Sequence, residues 1–61
     1  MYYSKEKRIE MAKKIGSRWV VGYVTPGSDT VLWDLVRPDA FFAPSVGGYF
    51  LRGTVVEVIE L

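Results

Sequence analysis

Apolar residues recur at helical spacing near the start of the chain and in dense, alternating runs after residue 18, so the pattern predicts one helix followed by strands. The helix is expected over about residues 4–16. Ser4 can cap its first turn, Glu6 sits where the helix dipole favours an anion, Lys13 and Lys14 sit where it favours cations, and Gly16 is a natural stop. On a wheel of 3.6 residues per turn Ile9, Ala12 and Ile15 form an apolar stripe with Met11 at its flank, and Arg8 lays its stem across that side. A helix of roughly three turns is marginal alone in water, so this stripe must dock on something. Tyr2 and Tyr3 precede the cap.

From Arg18 onward β-branched and aromatic residues alternate with turn signals. Residues 18–25 and 30–36 read as two strands of a hairpin, joined through Pro26-Gly27-Ser28-Asp29, where proline presets φ and glycine takes the positive φ that follows. Pairing Thr25 with Thr30 sets Val24 against Val31, Gly22 against Trp33 and Val20 against Leu35. The opposite side then carries Trp19, Val21, Tyr23, Leu32, Asp34 and Val36. Gly22 leaves room for the Trp33 indole over the backbone, which supports this register. Pro38 ends the second strand. Residues 40–43 fit either a short strand or a loop, and residues 44–48 form a loop. Residues 49–52 and 54–61 are extended, as one strand bulged at Gly53 or as two strands meeting there. The nearly continuous apolar run Val55-Val56-Glu57-Val58-Ile59 is expected in the middle of the sheet.

Together these elements predict an α+β fold in a single domain spanning residues 1–61. One N-terminal helix packs on a small antiparallel sheet of three to four strands, either open or curled toward a barrel. The chain is 61 residues long with no cysteine and no histidine, so neither a disulfide nor a thiolate or imidazole metal site can staple it; stability has to come from its 49% apolar content or from a partner. No apolar run is long enough to span a bilayer and no apolar leader follows the basic start, which makes a cytoplasmic location the default expectation.

Charge divides the chain. Six of its eight basic residues fall within the first 18 positions, which sum to +4, whereas residues 19–61 sum to −3. A row formed by Lys7, Lys13, Lys14 and Arg18 is the candidate nucleic-acid surface, since basic side chains on one helix face can neutralise phosphates. Glu10 interrupts that row and can pair with Lys14 one turn on, the arrangement of an ordinary solvated face.

The aromatic surplus points elsewhere. One helix covers one face of a small sheet, yet both sides of the predicted hairpin are apolar. Trp19, Tyr23, Leu32 and Val36, grouped around Asp34, are therefore the candidate protein-binding surface unless the sheet closes on itself. Phe41, Phe42, Tyr49 and Phe50 form a further cluster, either a loop-borne recognition tip or, for Phe41 and Phe50, a plug over the core.

Catalytic chemistry has little to work with. Ser28 and Ser45 lack a histidine base, Gly47-Gly48 lacks the lysine and hydroxyl residue of a phosphate-binding loop, the carboxylates Asp34, Asp39, Glu57 and Glu60 are explained by solvated polar faces or turn caps, and no acidic cluster has calcium-loop spacing. No catalytic residue, cofactor, metal or small-molecule substrate is expected. The expected function is a non-enzymatic module that binds another protein as an inhibitor or adaptor, of the kind phages and mobile elements encode. Self-association into a homodimer through open strand edges is a further expectation, and the alternative is a small nucleic-acid-binding protein using the basic helix.

Overall fold

The computed structural model describes residues 3–43 and 45–61; Tyr2 and Pro44 lie outside them. Helix α1 (Lys5–Ile15) is followed by strands β1 (Trp19–Val24), β2 (Leu32–Leu35), β3 (Tyr49–Phe50) and β4 (Gly53–Glu60). The four strands form one antiparallel sheet in the order β2-β1-β4-β3, curled into a half-barrel, with α1 on one face over β1 and β2. This is the expected α+β architecture.

Local chemistry sets the helix boundaries. The Ser4 hydroxyl accepts from the Lys7 amide at 3.2 Å, and Gly16, at φ 79°, lets the chain turn away. Ala12 is fully buried, its small side chain letting the helix lie close against β1 and β2, and Val20 of β1 is also fully buried. Ile9 and Met11 flank this contact half-buried, but Ile15 is half exposed. Its angle on the wheel is right; its place in the last turn, where the chain leaves at Gly16, is what exposes it. Arg8 crosses the apolar side as expected, and its Nε donates to the Trp33 carbonyl at 3.0 Å.

The hairpin has the predicted register, with Val20 opposite Leu35 and Gly22 opposite Trp33. A Cβ placed on Gly22 would lie 2.8 Å from the indole, so the ring does rest on the bare backbone. Lys5 lies over that ring at 5.3 Å and reaches Glu57 at 3.2 Å, strapping the helix across the sheet. The Pro26-Gly27 turn closes with the Ser28 amide on the Thr25 carbonyl, and Gly27 takes φ 80°.

Residues 49–61 form two strands joined by a two-residue turn, Leu51-Arg52, in which Leu51 holds a positive φ of 56°. A large side chain in that conformation stores strain. Gly53 is the first residue of β4 and not a bulge; the ladder shifts instead opposite Gly22 and Tyr23, where Val56 is the extra residue. The apolar run of β4 was expected to lie centrally, and it does so only in part. β3 pairs with Gly53 and Thr54, the segment before it reaches Val55, and from Val56 to Glu60 the strand has only β1 beside it among the described residues.

Candidate functional site

The sheet face away from α1 decides the site. Val21, Val36 and Val55 form a buried cluster there, joined by Trp19, Val58, Phe42 and Phe50. The chain between β2 and β3 crosses this face and lays Phe42 between two rings: its centroid is 6.2 Å from Trp19 and 5.6 Å from Phe50, edge-on to both. Phe50 in turn lies 5.6 Å from Tyr23. Such offset and edge contacts are the preferred aromatic geometries.

One member of the predicted protein-binding face is thereby corrected. Val36 is only 7% exposed and is part of the core, so it offers nothing to a partner. Trp19, Tyr23 and Leu32 are half-buried. The loop supplies the second layer that the chain length had argued against. The plug is also reassigned in part, because Phe50 covers the core as expected while its companion is Phe42, and Phe41 is 97% exposed. Phe42 turns toward the sheet and Phe41 away from it. Nothing in their sequence context distinguishes them.

Asp34 has a different role from the one expected. The Val36 amide donates to the Trp19 carbonyl, which sets the ladder phase: Val21 and Asp34 turn their backbone groups toward each other, and the backbone groups of Trp33 and Leu35 point to the free side of β2. There the Trp33 carbonyl accepts from Arg8, the Leu35 amide donates to Asp34 Oδ1 at 2.8 Å, and Arg8 pairs with the same carboxylate oxygen at 3.5 Å. Arg8 and Asp34 thus cap the outer edge of β2 against another strand.

Ser17 is a structural residue that sequence reasoning missed. It is buried, and its hydroxyl meets the Val36 and Trp19 carbonyls, tying the turn after α1 to the end of β2. A serine beside Gly16 reads as loop chemistry, and only the fold reveals its burial.

The candidate nucleic-acid residues do not assemble into a continuous basic row. Lys7 pairs with Glu10 at 3.6 Å, so Glu10 turns back one turn instead of forward to Lys14. Arg18 donates through Nε and Nη2 to Glu60 at 2.9 and 2.7 Å, with its guanidinium 5.2 Å from the Trp19 ring. Lys13 and Lys14 remain exposed and without an ion pair among the described residues.

What the structure does bring together is a groove of about 250 Å³ where the turn after α1 meets the chain following β2. Gly16, Arg18, Trp19, Arg37, Phe41 and Phe42 line it. Arg37 is exposed and has no ion pair among the described residues, Phe41 stands at the rim, and the helix turn bearing Lys13 and Lys14 ends beside it. A shallow, largely polar groove edged by the Phe41 and Trp19 rings, with the Arg37 guanidinium beside it, suits a ligand that carries both an anionic and an apolar group. Tyr49, 90% exposed, and the exposed Val46 and Leu51 add further apolar surface on and around β3.

Among the described residues no three acidic side chains gather where they could hold a metal, and no helix is long and apolar enough to cross a membrane. The chain matches no known protein family, no curated protein and no solved structure.

Proposed function

We infer that the chain is a small non-enzymatic module that binds another protein as an inhibitor or adaptor in the cytoplasm. The observation that carries this reading is the exposure of Phe41 at the rim of the Arg18–Arg37 groove. A fully exposed phenylalanine contributes almost nothing to its own fold, whereas rings and arginines are the residue types that anchor protein interfaces. The ligand is an extended segment of a partner that carries a carboxylate next to an apolar side chain. The carboxylate meets Arg37, which is uncompensated among the described residues, and the apolar group lies between Phe41 and Trp19. This surface is proposed in place of the sheet face formed by Trp19, Tyr23, Leu32 and Val36 around Asp34.

Affinity capture from the native lysate tests the reading. The wild-type chain is expected to retain a protein that survives nuclease treatment, and Phe41→Ala or Arg37→Glu is expected to lose it by at least about tenfold while melting as the wild type does. Loss of all bound material on nuclease treatment, together with its loss in a Lys13→Glu, Lys14→Glu variant, would assign the basic helix to nucleic acid instead. Steep weakening with salt would accompany that outcome.

A further inference from the structure

The three free edges of the sheet are treated unequally. The outer edge of β2 is capped by Arg8 and Asp34, and β3 presents only two residues. The outer edge of β4 beyond Val55 has neither device. The Leu61 amide donates to the Arg18 carbonyl at 2.8 Å, which fixes the ladder phase: Ile59 turns its backbone groups toward β1, and the backbone groups of Val58 and Glu60 point away from it. Among the described residues no backbone bond joins that side to another segment.

We propose that this edge pairs with its counterpart in a second copy of the chain, as an antiparallel β4–β4 contact centred on Ile59. The register follows from the free groups. With Ile59 opposite Ile59 of the second copy, the Val58 amide and carbonyl meet those of Glu60 across the two-fold axis, and every outward group of the two residues is satisfied. Glu57 then stands opposite Leu61 and Val58 opposite Glu60, so no glutamate faces another. Within each chain Glu57 is already paired with Lys5 and Glu60 with Arg18, which removes the repulsion that two acidic edges would otherwise feel. The exposed Leu61 stands opposite Glu57 at the end of the seam and gains cover from it. The occupant is a second copy because its edge is preformed, carries the same spacing of donors and acceptors, and pays no ordering cost. The contact is separate from the Phe41 groove and does not depend on the function proposed for it.

Sedimentation equilibrium with amide exchange on the wild-type chain tests it. The mass is expected to rise toward the dimer with concentration, and the Val58 and Glu60 amides are expected to exchange slowly at high concentration and fast on dilution, while Ile59 is protected at both. A monomeric mass up to about 1 mM, beyond the range of weak specific contacts, overturns the proposal, as does fast exchange of Val58 and Glu60 in a dimer. Glu60→Pro removes an outward donor without touching the bonds to β1 and should weaken association at least about tenfold, whereas Glu60→Ala keeps the donor and should leave association near wild type. Equal weakening by both substitutions would place the contact in the side chain and overturn the backbone pairing.

Discussion

Replacing Gly53 with alanine is expected to destabilise the chain by about 3 kcal/mol, at the top of the usual range for forcing extra volume into packed structure. The added Cβ would lie 2.5 Å from the Val24 carbonyl oxygen and 2.6 Å from Tyr23 Cδ2. The first contact is with backbone held in the β1–β4 ladder, which cannot rotate aside as a side chain can. Gly53 also opens β4 directly after the Leu51-Arg52 turn, where Leu51 is already strained, so little slack is available on the other side. A chain of this size commands only about 3–9 kcal/mol in total, so the variant should lie close to its unfolding threshold at room temperature. Its melting temperature is expected about 20 °C below wild type, judged from the usual unfolding entropy per residue. Gly27→Ala is the natural comparison: no atom lies within 4 Å of the added Cβ, and only the positive φ opposes it. That change should cost about 1 kcal/mol. A Gly53→Ala chain that melts with the Gly27→Ala chain would show that the tight approach to Val24 is not present in solution.

The second large effect is expected at Phe42. Truncating a buried phenylalanine typically costs about 3–5 kcal/mol, and Phe42, half-buried, should cost about 2–3 kcal/mol on removal. Its ring packs against Trp19 and Phe50 and joins them, among the described residues, in the aromatic chain over Val21, Val36 and Val55. Without it the sheet face is uncovered and Trp19 is wetted. Phe41→Ala, one position away, should change stability by less than about 0.5 kcal/mol, because an exposed side chain has nothing to lose on truncation. Urea denaturation followed by tryptophan fluorescence measures both variants on one scale. Equal effects, or a larger one for Phe41, would mean that the crossing segment lies the other way up.

Much of this fold was legible in the sequence because local chemistry and long-range packing agree there. Ser4 and Gly16 bound the helix, Pro26-Gly27 makes the turn, and the bare backbone of Gly22 selects the Trp33 register; each is a steric or hydrogen-bonding requirement that one or two residues meet alone. The second layer over the sheet was not legible. Which of two adjacent phenylalanines turns inward depends on where a segment without regular structure crosses the face, and alternation alone gives either answer. The same limit hid Asp34. Its bond to the Leu35 amide is local to β2, but its pairing with Arg8 arises only once α1 lies beside that edge. The candidate surface moved for the same reason, from a face the loop covers to the rim that the loop builds with Arg37 and Phe41.

The chain shelters its own sheet with Phe42 and leaves Phe41 exposed. A two-dimensional NOE spectrum of the free chain tests it most directly. Cross-peaks from the Phe42 ring to the Trp19 indole and to the Phe50 ring, with Phe41 showing only contacts to its sequence neighbours, are the predicted result. A Phe42 ring at random-coil shifts with no cross-peak to Trp19 would contradict it, and would return the open sheet face to the role here given to the groove.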